Sequence, residues 1–438
     1  MKCALSVVAG LAVACPVLGQ TTLYLTRTVD ISAACNVNDP STYVGSNPSA
    51  IALIGNRLFV AGFNNAGNAI PKQVVYFDNV LQSPTGPTAV DGAAVAIPNF
   101  RGYTGFAFRN GSGLVAAYDN GNLAAGQIRL INDALGVPSL GVQSPGLMRG
   151  GAGPAWDSGF DGNGYEANYN GAGSPALAAV TAHVDFGQAA GIRVGPLGLN
   201  PATLNADVGE SVYVYQDPAG HNLRLDFAGI SGTFWRDLDV HPTNGTMVAR
   251  ANNDLVIGTR PSNNGNFAQQ ILVDGGDAPF VVGQNVSILW GAPGGDAIIY
   301  TDRTDSASTS QSFLNAVKMV NMDGTPRTVS FKNLDGSDAV FPLGNAYYDL
   351  FWDGANGVLA VCDFFNRNVY VFSHTPPEPE CPADFNGDEF VDFFDLDAFI
   401  ECFEGGACPD GKTADFNGDE FIDFFDLDAF VEAFETGC

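Results

Sequence analysis

Basic residues are scarce. Nineteen Lys and Arg stand against 47 Asp and Glu, a net charge of −28. A surface of that sign repels nucleic acid and anionic membranes, so neither is an expected partner. Histidine is scarcer still: His183, His221, His241 and His374 are all there are, and none is paired at the spacing of a helical zinc site. There is no nucleophile elbow and no phosphate-binding glycine loop. Beyond the first twenty residues, no apolar run is long enough to cross a bilayer as a helix. What abounds is glycine, 53 residues, with frequent Val, Phe and Thr in a chain that is 46% hydrophobic. That mixture supplies a core and favours β structure with many turns. At 438 residues the chain exceeds one ordinary domain, and one large domain plus a smaller one is expected.

The opening "MKCALSVVAGLAVACPVLGQ" has one Lys, an apolar run and a small-residue exit. It reads as a secretory signal over residues 1–19, cleaved before Gln20, which implies a secreted or cell-surface protein. The alternative is a lipid-attachment site at Cys15, where Ala12 stands in place of the usual Leu. Six cysteines then remain: Cys35, Cys362, Cys381, Cys402, Cys408 and Cys438. An even number in an exported chain suggests disulfides, with the pairing left open.

The texture changes at His374. "HTPPEPECP" can continue neither a strand ladder nor a helix, and residues 374–380 read as a Pro/Glu spacer between a domain over 20–373 and another over 381–438. Beyond it, "ADFNGDEF" occurs twice, and residues 383–404 repeat as 414–435 without a gap. Two near-copies so close imply two copies of one supersecondary unit packed together. Asp384, Asn386, Asp388, Asp392 and Asp395 occupy positions 1, 3, 5, 9 and 12 of a loop, with Phe390 at 7 lending its carbonyl. Asp415, Asn417, Asp419, Phe421, Asp423 and Asp426 repeat the set. Calcium wants six to eight hard oxygens at such spacing, so two calcium ions are expected. Residues 381–438 hold 17 acidic side chains and one Lys, Lys412, a density that is repulsive without a cation. After each loop, Leu396, Phe399, Ile400 and Phe403, and then Leu427, Phe430, Val431 and Phe434, recur at helical spacing opposite acidic residues. Each loop therefore feeds an amphipathic helix, and Pro382 and Pro409 argue against a helix entering it.

A duplicated half EF-hand with Asp at position 12 resembles the dockerin type I module, and most of all the C-terminal dockerin-like repeats of planctomycete exported proteins. The resemblance implies two calcium loop–helix units related by a near-twofold axis, docking to a cohesin-like or cell-surface partner. It places the partner contacts at Phe393, Phe394, Phe424 and Phe425, although core packing is an equal use for those rings. The sequence departs from the family at position 6, where Glu389 and Glu420 replace the turn glycine and Gly387 and Gly418 sit at position 4.

Ahead of the spacer lies a fainter repeat. "FAFRNGSGLVAAYDN", "LDVHPTNGTMVARAN", "ILWGAPGGDAIIYTD" and "LFWDGANGVLAVCDF" each run strand, Gly-rich turn, strand, with Phe108, Val240, Trp290 and Trp352 aligned before the turn. Looser copies begin at Ile51 and Ala155. A further strand follows at "QIRLI", "DLVIG", "AVKMV" and "NVYVF". Six such units predict an all-β propeller of six blades; a seventh in the long gap between Phe160 and Val240, or a β-sandwich pair, is the alternative. Cys35 and Cys362, near the two ends of this domain, suggest a disulfide that staples the ring closed.

No catalytic residue is assigned. The histidines read as structural. Asp157, Asp161 and Glu166 offer a second calcium site or paired carboxylates, but a Gly-rich hairpin tip explains them more simply. Trp156, Trp235, Trp290 and Trp352 offer sugar-stacking platforms, but aligned Trp in inner strands is usually core. The leading function is therefore an exported calcium-binding protein with a binding or scaffold propeller and a docking tail. A polysaccharide-degrading hydrolase of O-glycosyl bonds, tethered by the same tail, is the alternative, and a tail that only stiffens the C-terminus is a third. Acidic and aromatic groups at the mouth of the large domain favour the enzyme; a plain, shallow mouth favours binding.

Overall fold

In the computed structural model, the described residues are 20–63, 70–92, 102–109, 111–118, 127–143, 151–156, 178–183, 191–196, 224–225, 235–244, 246–251, 254–259, 268–275, 285–302, 316–339, 347–375, 381–388, 390–409, 412–419 and 421–436. The chain divides into two compact units, Met1–Thr375 and Pro376–Cys438.

Among its described residues the larger unit is β, apart from a 3-10 turn at Ser32–Cys35. After β1 (Gln20–Asp30) the strands come in six sets. The first is β2 (Asn47–Ile54), β3 (Arg57–Phe63), β4 (Val75–Phe77) and β5 (Thr88–Ala89); the second is β6 (Gly102–Arg109), β7 (Ser112–Tyr118), β8 (Gln127–Asn132) and β9 (Ser139–Gln143). The third is β10 (Gly151–Trp156), β11 (Ala178–His183), β12 (Gly191–Pro196) and β13 (Arg224–Leu225). The fourth is β14 (Trp235–Val240), β15 (Met247–Ala251), β16 (Asp254–Thr259) and β17 (Ala268–Val273). The fifth is β18 (Val286–Leu289), β19 (Ala297–Asp302), β20 (Ala316–Asn321) and β21 (Pro326–Lys332). The sixth is β22 (Tyr347–Asp353), β23 (Val358–Asp363) and β24 (Asn368–Ser373). Within each set, strands consecutive in sequence pair antiparallel. The fourth position of the sixth set is filled from the far end of the chain: β1 pairs with β24, from Tyr24↔Ser373 to Asp30↔Asn368. The same β1 runs parallel to β21, from Gln20↔Thr328 to Tyr24↔Lys332.

Short residues and turns make these meanders possible. Gly357, at φ 64°, turns β22 into β23, a backbone state that side chains with a Cβ resist. A register shift recurs near the start of the first strands: Pro48/Ala50, Tyr103/Gly105, Ala152/Pro154, Trp235/Asp237 and Tyr347/Asp349. A bulge of this kind increases local twist. The four expected third strands are present as β8, β16, β20 and β24.

The core lies between sets. Ile51 and Leu53 pack with Ala360, Cys362, Val369 and Val371 of the sixth set. Their neighbours Ala50 and Ala52 face the other way, onto Tyr103, Phe106 and Val115 of the second. Leu289, Ile299 and Met319 meet Trp352, Leu359 and Val361 between the fifth and sixth sets, with Leu23 of β1 among them. Val248, Leu255 and Ile257 meet Ile288, Ile298 and Tyr300 between the fourth and fifth. Strands buried on both faces carry continuous apolar runs such as "IALI" and "VLAVC" rather than alternation. Each fully buried Leu, Ile or Val contributes about 1.5–3 kcal/mol. The first strands pack in a cycle: β2 on β6, β6 on β10, β10 on β14, β14 on β18, β18 on β22, and β22 back on β2.

The Cys35–Cys362 disulfide does not form. Both are buried free thiols in one apolar cluster, and burial pushes the Cys35 thiol up to about 12. The first and last parts of the unit are joined instead by the β1–β24 ladder, a row of backbone hydrogen bonds needing no covalent link.

Among its described residues the smaller unit has two helices, α1 (Phe393–Phe403) and α2 (Phe424–Thr436). Its centre is the stacked pair Phe399–Phe430, ring centroids 4.2 Å apart and planes 3° from parallel. Phe385 and Phe416, one from each loop, meet this pair edge-on. Ile400, expected on the apolar face, is exposed; Cys402 is buried in the core beside Phe399 and is bonded to Cys408. Cys381 is disulfide-bonded too.

Candidate functional site

The two loops of the smaller unit are organised by their last aspartates. Asp395 and Asp426 are both wholly buried. Asp395 accepts the amides of Asn386 and Asp392, each at 2.9 Å. Asp426 accepts those of Phe416 (2.8 Å), Asn417 (3.1 Å) and Asp423 (2.8 Å). Burial pushes the Asp426 carboxyl up, but the amides of Asp423, Asn417 and Phe416 outweigh it and hold the group below its usual range. The first aspartates brace the turn: Asp384 accepts the amides of Gly387 (2.8 Å) and Asp388 (3.0 Å), and Asp415 accepts that of Asp419 (3.1 Å). The left-handed residue of each loop is Gly387 (φ 78°) or Gly418 (φ 73°), so the turn glycine has moved from position 6 to position 4. Glu389 and Glu420 lie outside the described residues.

Asp384, Asp388 and Asp395 converge, with one carboxylate oxygen from each within 4.8 Å of the others. Asn386 Oδ1 joins the same loop by accepting the Asp388 amide at 2.8 Å. Among the described residues, this is the one cluster of three acidic groups close enough to share an ion. Asp415, Asp419 and Asp426 repeat the hydrogen bonds without converging as tightly. Asp392 and Asp423, expected at position 9, cap the helices, accepting the amides of Phe394 (2.8 Å) and Phe425 (2.9 Å). The donor set is all oxygen, which suits a hard divalent cation.

Around the loops the surface carries exposed aromatic rings. Phe393 and Phe424 are 76% and 75% exposed, and Phe394, Phe425, Phe390 and Phe421 are exposed as well. None of the four expected contact rings is core. Phe393 leans toward Phe434 and Phe424 toward Phe403, both at 6.3–6.4 Å between centroids, so the pairs are placed equivalently on the two helices.

In the larger unit the first strands enclose a cavity of about 540 Å³. Phe108, Val240, Trp290 and Trp352, aligned in the sequence, all line it. Its lining includes Asp237, Asp239, Ser287, Asp349 and Asp353 together with Phe106, Phe108 and Phe351. Sequence reasoning missed these acids. Their signal is an aspartate directly after the recurrent bulge, as at Asp237 and Asp349.

The acids bind neighbouring strands first. Asp349 accepts the Ile51 amide at 2.6 Å, Asp237 the Val286 amide at 3.0 Å, and Asp239 the Ile288 amide at 2.7 Å. Asn285 donates to Asp349 at 2.8 Å and to Asp237 at 3.2 Å. Burial, with repulsion from Asp239, pushes Asp237 up to about 8, and burial with repulsion from Asp237 pushes Asp349 well above the carboxylate range.

Other candidates fall elsewhere. His241 bonds Asp296 at 2.9 Å, and His374 bonds the Gly357 carbonyl at 2.9 Å. Both are tied to structural partners. Trp352 donates to the Trp290 carbonyl at 3.0 Å and is nearly buried. Asp157, Asp161, Glu166 and His221 lie outside the described residues, as do the side chains of Trp156, Trp235 and His183.

No protein-family model matches the chain, and no curated protein matches it. Among solved structures it is similar to an auxiliary nutrient binding protein from Bacteroides thetaiotaomicron, at 10% identity over 74% of this chain and 68% of that one, with a TM-score of 0.45.

Proposed function

We propose that this is an exported binding protein made of a six-bladed β-propeller and a dockerin-like, calcium-binding tail that docks to a cohesin-like or cell-surface partner. The propeller reading is supported by the cycle of first strands and by β1 completing the sixth set; a two-sheet sandwich has no such cycle. In that reading each set is a blade, and the cavity among the first strands is where a ligand sits.

The observation that carries the tail is the convergence of Asp384, Asp388 and Asp395. One ion would be held by these three with Asn386, the Phe390 carbonyl and Asp392, and a second by Asp415, Asn417, Asp419, the Phe421 carbonyl, Asp423 and Asp426. Each ion supplies the positive charge that offsets the crowded carboxylates. The exposed rings of Phe393, Phe394, Phe424 and Phe425 then form the face offered to the partner, since rings left in water on a folded module mark an interaction surface.

The test is direct. The 375–438 fragment should gain helix signal and protease protection on adding Ca²⁺ and lose both with chelator. Asp384→Ala with Asp415→Ala should abolish the response, and an unchanged response would remove the metal reading.

The hydrolase remains a second reading because of one observation: Asp237 and Asp349 hold their protons high beside an aromatic wall, as a general acid does. Against it, both carboxylates already accept backbone amides of adjacent strands. Incubation with polysaccharides separates the two: retention without cleavage supports binding, and released reducing ends support the hydrolase.

A further inference from the structure

The repeated octapeptide "ADFNGDEF" places an asparagine–glycine step in each loop, Asn386–Gly387 and Asn417–Gly418. An asparagine ahead of glycine is open to attack by the glycine's own amide nitrogen, because no Cβ hinders the approach. The local sequence is the same in both copies, so any difference in reactivity comes from the fold. Both side chains are bent back along the main chain. Asn386 Oδ1 accepts the Asp388 amide at 2.8 Å, and Asn417 Oδ1 accepts the Asp419 amide at 2.9 Å. That hydrogen bond turns each carboxamide toward the nitrogen that would attack it, and steadies the oxygen as negative charge builds there.

The attacking nitrogens differ. Gly387 donates its amide proton to Asp384 at 2.8 Å, a charge-assisted bond. Removing that proton would leave an anion facing a carboxylate, which repulsion opposes. Asp415 accepts the Asp419 amide at 3.1 Å, as Asp384 accepts that of Asp388 at 3.0 Å. Among the described residues, however, none accepts the Gly418 amide. Water also reaches the second copy more readily: Asn417 is exposed, whereas Asn386 is half-buried.

We propose that Asn417 is a site of spontaneous modification, deamidating through a cyclic imide while Asn386 is spared. The Gly418 nitrogen gives its proton to water and bonds to Asn417 Cγ. The bond from Cγ to Nδ2 breaks, and that nitrogen takes up a proton and leaves as ammonia. Water then opens the five-membered ring on either side, giving an aspartyl or an isoaspartyl residue at 417. The isoaspartyl product carries the main chain through the side chain, one carbon longer, so Asp419 loses its place relative to Asp415. One loop of the pair therefore ages ahead of the other. The inference needs no bound ion and stands apart from the calcium reading.

The experiment holds the full chain in mildly alkaline buffer with chelator, which keeps divalent ions off the same oxygens. Samples are reduced and cut with trypsin. Cleavage at Arg367 and Lys412 puts Asn386 in the 368–412 peptide and Asn417 in the 413–438 peptide. Mass spectrometry follows the gain of one mass unit at each asparagine. Asn417 should convert about tenfold faster than Asn386, the worth of one charge-assisted hydrogen bond. In denaturant the two should convert at the same rate, since their neighbours are identical. Equal rates in the folded chain, faster loss of Asn386, or no conversion of Asn417 would overturn the inference. So would a difference that persists in denaturant, because it would not come from the fold.

Discussion

Asp237 shows how much one buried acid can couple a fold to pH. Its carboxyl titrates at about 8 in the folded chain against roughly 3.9 when unfolded. Between those values the folded state binds the extra proton. The stability linked to it is therefore full below about 4, falls as pH rises, and is gone above about 8. The larger unit should melt at a higher temperature at pH 5.5 than at pH 8.5, and Asp237→Asn should flatten that difference. Melting curves that fall equally in both proteins would contradict the assignment. Asp395 is the opposite kind of acid, a buried carboxylate satisfied by two amides. Asp395→Ala leaves those donors without a partner and should destabilise the smaller unit by about 2–4 kcal/mol, whereas Asp395→Asn should cost less because one amide bond can survive. Chemical denaturation of the two variants distinguishes them.

At the scale of elements, the ring depends on β1. Removing residues 20–30 strips β24 of one of its two partners and bares the edges of β24 and β21, and exposed edges aggregate. The shortened chain should be insoluble or should melt without cooperativity; a soluble chain with an unchanged transition would show that closure does not need β1. In the small unit, Phe399→Ala removes half of the central stack and should cost about 3–5 kcal/mol, read from the thermal transition with calcium present. Much of this level was legible beforehand. The repeats around Phe108, Val240, Trp290 and Trp352 identified first strands, and the third strands fell where "QIRLI" and its counterparts stand. The loops were legible because oxygen spacing is a local property. Long-range features were not. Cys35 and Cys362 signal pairing by count and position, yet packing places both in an apolar cluster as thiols. The Asp237–Asn285–Asp349 bridge joins residues from three sets, and no periodicity records it. Phe385 and Phe416 sit at loop positions where nothing in the pattern marks a core residue.

On the scale of the whole molecule, charge and architecture divide the labour. The larger unit buries continuous apolar strands between sets, so its shape follows from hydrophobic contact. The smaller unit has a core centred on a few phenylalanines and carries 17 acidic residues against one Lys over residues 381–438, a load that a compact shape resists without counter-charge. Sodium chloride only screens such charges, whereas a coordinated divalent ion bonds to them. The claim on which the proposed docking role of the tail rests is therefore that each repeat takes up its own ion. Calorimetric titration of the metal-stripped chain with Ca²⁺ measures this most directly. Two ions per chain, falling to none in Asp384→Ala with Asp415→Ala, is the result the account predicts; no uptake, or uptake untouched by that double substitution, would contradict it.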